Sequence, residues 1–535
     1  MTALTPAYDF IVVGAGTAGC VLASRLSEDS AVRVLLVEAG VRDTSPLLAI
    51  PGASVRVSSN PRLNWGYLTE PQPGMAGRRL ALIQAKVVGG GSSINGMVYT
   101  RGAATDYDEW AAAGCDGWRF ADVLPIFRRS QASDRGEGPL HGGSGPMKTE
   151  RGHSPLPIAS LILEALVQIG FPLIEDLNAP EPDGFGFYDW NIADGRRASM
   201  SAAFPGIRSG RANLTVVSGA VVSRLVMRGD RADGIELIRD GRKTVIRAER
   251  ETALCAGAIG SAKLLLLSGV GPADELRALG IPSVIDQPHV GRNLTNHVSY
   301  KLAFECSQPI TARKYLHPWH GAVEAMRYVM GRKGYLACGA APVGGFFRST
   351  AYSVRPDTQL FAIPALPGTS RGFLGALPDR HGFALLINQG RPYSRGSVVL
   401  RSAEADAAPV IDPCYLSDPR DLEALVGGAE RLRAVAAAPA IAALCNEVSP
   451  GIAVRGRAAL AQSIRETGGN YYHVSGTCRM GCSIADSVTD SRLRVHGLKG
   501  LRVADASVMP TLVNGNTNAP VIMIAERAAE WMADS

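Results

Sequence analysis

Residues 9–38 read DFIVVGAGTAGCVLASRLSEDSAVRVLLVE, and the order of residue types in them decides the fold. Phe10–Val13 is a short apolar run of strand type. Gly14-Ala15-Gly16-Thr17-Ala18-Gly19 follows at once, then apolar residues at helical spacing, Cys20, Leu22, Ala23 and Leu26. Val32–Val37 is a second, mostly apolar strand that ends on Glu38. Strand, glycine turn, helix, strand and acid together form a dinucleotide-binding βαβ unit. Gly14 permits the tight turn, Gly16 lets the backbone approach a pyrophosphate, and Gly19 lets helix pack on strand. The helix N-terminus presents unpaired N–H groups and a partial positive charge to the phosphates. Glu38 can accept hydrogen bonds from both hydroxyls of an adenosine ribose, and its charge would repel a 2′-phosphate.

The remaining composition sets the bounds. A chain of 535 residues exceeds what one compact core usually serves, so two domains are expected. The net charge of +6 is small for this length, and no run of Lys/Arg or aromatic-interleaved basic stripe is present, which argues against nucleic acid as a partner. No apolar stretch reaches bilayer-spanning length, and the start, MTALTPAYDF, lacks the regions of a signal peptide. Nine cysteines, odd in number and scattered, predict reduced thiols and a cytoplasmic protein. Cys478 and Cys482 have no second pair to complete a zinc site, so no metal is expected.

Residues 40–85 are rich in Gly, Pro and Arg and read as surface connections, with Trp65 placed either on a cofactor or in the core. Residues 85–108, AKVVGGGSSINGMVYTRGAATDYD, carry a second glycine run, Gly89-Gly90-Gly91, unsuited to the interior of a strand or helix. Such a run serves close approach of backbone to a flat or charged ligand, and the apolar residues from Ile94 to Tyr99 argue against a linker. A nicotinamide dehydrogenase would explain residues 9–38 but not this second stretch.

With these residues in view, the chain resembles the glucose–methanol–choline (GMC) family of FAD-dependent alcohol oxidoreductases. Ala85–Asn95, with Tyr99, Gly102 and Asp108, is similar to the family's first motif. Residues 257–271, GAIGSAKLLLLSGVG, are similar to its second, with Ala262 where Pro or Ser is usual. The likeness runs from residue 9 to about residue 530 and is greatest to the branch with hydroxymethylfurfural oxidase, pyridoxine oxidase and the choline and alcohol dehydrogenases. It implies an α/β protein with a Rossmann-like FAD-binding domain (1–155, 190–300 and 463–535) and a substrate domain (156–189 and 301–462) built on a mostly antiparallel sheet covered by helices. It also implies FAD contacts at Gly14, Ala15, Gly16, Thr17, Ala18, Gly19, Glu38 and Trp65. Further contacts are implied at Val88, Gly90, Gly91, Ser92, Asn95, Gly96, Met97, Val98, Val222, Tyr472, Asp505, Ala506 and Thr517. Val222 would meet adenine through its backbone, although pattern alone makes it a core strand residue. Asp505 would hydrogen-bond the ribityl or pyrophosphate region. Ile94 stands where some relatives carry the histidine that links flavin covalently, so dissociable FAD is expected.

Local patterns add a helical period over 158–169 stopped by Gly170, strands at 213–217, 223–226 and 234–237, and a strand at 252–255 turning through Gly257 and Gly260 into a Leu-rich helix. Asp418-Pro419 caps a helix over 420–437, the Ala-rich stretch 434–443 reads as packed helix, and a last helix covers 521–533.

The resemblance puts the chemistry in the last seventy residues or so. His473, in NYYHVSGTCRMG, falls on the family's catalytic histidine, and Asn516, in NGNTNAP, on the position that relatives fill with His or Asn. His496 has no such match and reads as a surface turn residue. An imidazole titrating near neutrality suits removal of an alcohol proton, and an amide can donate to the alkoxide as hydride leaves for flavin N5. A primary alcohol oxidised to an aldehyde, with oxygen or another acceptor taking the electrons, is the expected reaction. Tyr471 and Tyr472 before the base suggest an aromatic or furanic hydroxymethyl compound. The alternatives are a choline-type dehydrogenase and a non-redox, FAD-containing hydroxynitrile lyase.

Overall fold

The structure, a computed structural model, describes residues 4–366, 370–372, 375–377 and 380–534. The first strand, Ala7–Val13, pairs in parallel with Val34–Glu38 on one side and with the long strand Arg242–Leu254 on the other. Leu214–Ser218 extends the parallel set beyond Val34–Glu38, and Leu501–Val503 joins it beside Arg242–Leu254. Arg242–Leu254 also closes an antiparallel meander with Arg231–Arg239 and Ala220–Arg228. The register aligns Val37, Val13, Leu254 and Val503. The chain therefore leaves four neighbouring strands at one edge, delivering Glu38, Gly14, Cys255 and Asp505 to the same place. In open parallel sheets this carboxyl edge is where ligands bind.

Helices Thr17–Leu26 and Asn518–Ala533 pack together over this sheet, tied by Arg25 to Glu526 (2.9 Å) and by the Thr17 hydroxyl donating to Asn518 Oδ1 (2.8 Å). A second antiparallel sheet runs in the order Cys445–Ser449, Val298–Cys306, Gly382–Gln389, Thr358–Ile363, Val343–Phe347 and Gly184–Phe187. Helices Pro157–Gln168, Pro419–Arg433 and Gly456–Thr467 bury one of its faces through Ile158, Ile162, Leu425, Leu432 and Leu460. The opposite face carries Phe346 and Phe361 against Met97, Val98, Tyr188 and Trp190. This is the expected two-part architecture.

Several local readings change. Residues 40–85 hold short 3₁₀ turns, the helix Ser54–Ser58 and a ladder of Tyr67–Leu68 on Ala81–Leu82. Leu48, Val57, Leu63, Val87 and Ile94 form a small core of their own beneath them, so the segment is a wall rather than a surface connection. Gly260 lies inside the helix Gly257–Leu267, and the last helix starts at Asn518. The Ala-rich stretch is a 3₁₀ turn that ends at Ala437. Ala438 is extended (ψ 136°) because it precedes Pro439, whose ring disfavours helical backbone before it. All nine cysteines are free.

Candidate active site

The four strand ends open into a cavity of about 480 Å³. Three helices start on it: Thr17 and Ala18 from the first, Gly257–Gly260 from the second, Thr517 and Asn518 from the last. Their first-turn N–H groups have no partner within the helix, which makes this end of the cavity an anion site. Glu38 is buried, and its carboxylate accepts the Ala15 N–H (2.9 Å) and the Gly40 N–H (2.7 Å). Burial pushes its pKa up to about 7. Ser218 pairs with Glu38, and Ala220, Val221 and Val222 continue along the wall. Val222 is thus at once a buried strand residue and a cavity residue.

The glycines divide into two groups. Gly14 has φ +99°, and a Cβ there would stand 2.6 Å from the Cys255 carbonyl. A Cβ on Gly19 would come within 1.8 Å of the Gly14 carbonyl, so that glycine serves helix–strand packing as its spacing predicts. By contrast, a Cβ on Gly16 meets nothing closer than 3.8 Å, and one on Gly91 or Gly96 meets no protein atom within 4 Å. These three line the cavity and have no left-handed backbone to accommodate. The protein's own packing gives no reason for glycine there, whereas a large ligand in contact with the backbone does. With the anion site and the ribose-type acid of Glu38, the residues fit FAD.

Most of the expected cofactor residues line the cavity: Gly14, Gly16, Thr17, Ala18, Glu38, Trp65, Gly90, Gly91, Asn95, Gly96, Met97, Val98, Val222, Tyr472, Asp505, Ala506 and Thr517. Ala15, Gly19, Val88 and Ser92 do not, and they hold its walls instead. The Ser92 hydroxyl donates to the Gly89 carbonyl (2.5 Å) and accepts from the Met200 N–H (2.9 Å). The Val88 N–H donates to the Val41 carbonyl (3.0 Å). Asp505 has a structural part as well: its carboxylate accepts the Gly257 N–H (2.8 Å), the Ser261 hydroxyl (2.6 Å) and the Ser507 N–H (2.8 Å). It fastens the strand end to the second helix. Trp65 is not core. It is 37% exposed, parallel to Tyr67 and under the Lys86 ammonium at 4.6 Å.

His473 and Asn516 meet on the cavity wall, with Asn516 Nδ2 3.4 Å from His473 Nε2. Tyr472 before the histidine adopts φ +64°, and Tyr471 stands edge-on to the His473 ring (5.2 Å) while stacking on Phe361 (4.8 Å). His297 completes the arrangement, and no pattern in the sequence assigns it a role. Its Nδ1 lies 2.8 Å from His473 Nδ1 and its Nε2 3.1 Å from the Gly390 carbonyl. A carbonyl only accepts, so His297 carries its proton on Nε2 and leaves Nδ1 as an acceptor. His473 must then donate from Nδ1, which leaves its Nε2 lone pair free beside Asn516. Burial pushes the His297 pKa down to about 4, and burial followed by the neighbouring His297 holds His473 well below the usual histidine range. Both rings are neutral at pH 7.

Asn516 is held as firmly. Its Oδ1 accepts from Gln359 Nε2 (3.2 Å) and the Thr100 hydroxyl (3.4 Å), and its backbone N–H donates to Thr100 Oγ1 (2.9 Å). With the oxygen occupied, the amide N–H₂ is the group that faces His473. The His496 ring is hydrogen-bonded through Nε2 to the Ser487 hydroxyl (3.1 Å) and lies outside the cavity.

The GMC oxidoreductase family models match residues 8–299 and 392–525. Mitochondrial choline dehydrogenase of Homo sapiens is 38% identical over 533 residues, covering 98% of this chain and 89% of the relative. Oxygen-dependent choline dehydrogenase of Rhizobium etli is 38% identical over 525 residues, covering 98% and 95%. Among solved structures, pyridoxine 4-oxidase from Mesorbium loti superposes with a TM-score of 0.88 at 31% identity and 99% coverage of both chains. A formate oxidase variant from Aspergillus oryzae gives 0.93 at 25% identity, covering 100% of this chain and 99% of that one. A glycine-lined cavity at the strand ends, a neutral histidine pair and an anchored amide thus stand in a chain that belongs to the GMC oxidoreductases, FAD-dependent enzymes acting on CH–OH groups.

Proposed function

We propose that this protein oxidises a neutral primary alcohol, carried on a flat ring, to the aldehyde, with His473 as general base and Asn516 as the donor that positions the substrate oxygen. The observation that carries this reading is the chain from the Gly390 carbonyl through His297 to His473, which leaves one unprotonated ring nitrogen pointing at the amide of Asn516. His473 Nε2 takes the hydroxyl proton, and the Asn516 N–H₂ donates to the oxygen as it gains negative charge. Bound FAD supplies the acceptor for the hydride. Gly14, Gly16 and Thr17 would hold its pyrophosphate, Glu38 its ribose, Val222 its adenine, and Asn95–Val98 with Ala506 and Thr517 its ring system.

The preference for a neutral substrate rests on charge. Among the described residues lining the cavity, the carboxylates are Glu38, at the ribose end, and Asp505, whose oxygens are bonded to protein donors. None stands beside His473, where Tyr471 and Tyr472 offer ring faces and edges instead. Choline is the second reading, favoured by the relatives at 38–39% identity over 98% of the chain. Its quaternary ammonium would rest on these tyrosines by cation–π attraction. A panel of benzylic, furanic and pyridine methanols against choline, with oxygen and a soluble dye compared as acceptors, separates the two. Higher kcat/KM for choline than for every ring alcohol would overturn the neutral-substrate reading. His473→Ala should lower the rate of anaerobic flavin bleaching by on the order of 10²-fold or more while flavin stays bound.

A further inference from the structure

Helix Pro318–Gly331 turns its polar side to the protein and its apolar side to solvent. Glu324 is its one buried residue. The Glu324 carboxylate accepts the Tyr335 N–H (2.8 Å) and a bond from Arg327 (2.9 Å), and the Tyr328 hydroxyl donates to the Gly195 carbonyl (3.1 Å). The bonds to Tyr335 and Gly195 fix the helix by its polar face. On the other side Trp319, Met326, Val329 and Met330 are 71%, 56%, 82% and 80% exposed. At 3.6 residues per turn, Trp319, Met326 and Met330 share an arc of about 40°. An apolar stripe of this kind, open to water on a helix otherwise well anchored, marks an interaction surface.

Charge identifies what the surface meets. Residues 311–334 carry Arg313, Lys314, Arg327, Arg332 and Lys333 against the single acid Glu324, in a chain whose net charge is only +6. Arg327 is paired with Glu324, and no ion pair among the described residues neutralises the other four. We infer that this helix docks on an anionic lipid bilayer, with its Trp, Met and Val side chains at the boundary of headgroups and acyl chains and the cations among the phosphates. At fourteen residues it spans roughly 21 Å, too short to cross a bilayer, so the association is peripheral. A second copy fits less well, because a two-fold contact would set the same cationic rim against itself. The chain runs from this helix through Tyr335–Ala337 to Ala340 on the cavity wall, which places the bilayer near the cavity. No residue of the proposed chemistry is involved, so the inference stands apart from the substrate assignment.

The test is co-sedimentation of the FAD-loaded enzyme with vesicles of phosphatidylcholine alone and of phosphatidylcholine containing about one-third phosphatidylglycerol. Binding should be roughly tenfold or more stronger to the anionic vesicles and weaken with added salt. Trp319→Ser/Met326→Ser/Met330→Ser and Arg313→Gln/Arg332→Gln/Lys333→Gln should each lose roughly tenfold or more of that binding, with flavin content and turnover on a soluble dye retained. No binding to either vesicle, or binding that both variants keep, would overturn the inference. So would an oligomer, measured by light scattering, that the Trp319 variant splits, since the face would then be a contact between subunits.

Discussion

His297→Leu isolates the contribution of the buried ring that orients the base. His473 donates from Nδ1 to His297 Nδ1 at 2.8 Å, and leucine removes that acceptor while filling similar volume. The Nδ1–H is then buried without a partner, at a penalty of about 1–3 kcal/mol. The alternative tautomer escapes the penalty by moving the proton to Nε2, where it blocks base catalysis. Shifting the tautomer balance by that amount lowers the competent fraction, and with it the reduction rate, by roughly 5- to 150-fold. The assay is anaerobic stopped-flow bleaching at saturating alcohol, with flavin content measured on the same sample. His297→Asn retains an oxygen near the lost nitrogen and should recover part of the rate. The pH profile adds a second readout. His297 is one of the two causes holding the His473 pKa down, so the acid limb of kcat/KM should move to higher pH in His297→Leu, while the wild type stays flat from pH 8 to about 6.5. A leucine variant that bleaches within about twofold of wild type with full flavin would refute the tautomer argument.

The other predictions concern the cofactor and stability. Gly91→Ala should leave the apoprotein's thermal midpoint unchanged or slightly raised, because its Cβ meets no protein atom within 4 Å, yet it should weaken FAD binding; Gly19→Ala should destabilise apoprotein and holoenzyme alike, because its Cβ would lie 1.8 Å from the Gly14 carbonyl. Differential scanning calorimetry with and without FAD distinguishes them. Glu38 has its pKa raised to about 7 in the folded protein, so as pH rises from about 4.5 the unfolded chain ionises first and Glu38 disfavours folding increasingly up to about pH 7. Apoprotein of Glu38→Gln should therefore lose less stability than wild type between pH 5 and 8, and its FAD should dissociate more readily. For His297 and His473 the sign is opposite: their folded pKa values lie below about 6.5, so unfolded chains take up protons first as pH falls, and stability drops below that pH. Acid denaturation followed by ultrafiltration should release all the yellow colour, since Ile94 offers no nucleophile for a covalent link; colour retained by the polypeptide would refute this.

What could be read from the sequence was what a short stretch determines by itself. Gly14 and Gly19 are fixed by backbone geometry within one βαβ unit, so their spacing was enough to place them. The second glycine run showed that a ligand must approach closely, and the open space at Gly91 and Gly96 explains why in terms of volume. His473 and Asn516 were legible only through resemblance, since a single histidine or asparagine has no periodicity to betray it. His297 was not legible at all, for its meaning is a contact with a residue 176 positions away and a proton fixed by a carbonyl at Gly390. Ser92 and Asp505 show a further part that needs the structure: besides standing in the motifs, their side chains fasten elements of the protein to one another.

Helix Pro318–Gly331 extends the same point from sites to surfaces. Its sequence is amphipathic in either orientation, and hydrophobic periodicity alone would assign Trp319, Met326 and Met330 to a core. The orientation is decided outside the helix, where the Tyr335 N–H and the Gly195 carbonyl need partners that Glu324 and Tyr328 supply. A buried carboxylate left without such partners would be costly, whereas apolar side chains left in water forfeit only their transfer free energy. Polar anchoring therefore overrides the hydrophobic pattern here, and the forfeited burial is what a bilayer surface can restore. The same logic holds at His473, where a hydrogen-bond chain rather than packing determines which nitrogen faces the substrate.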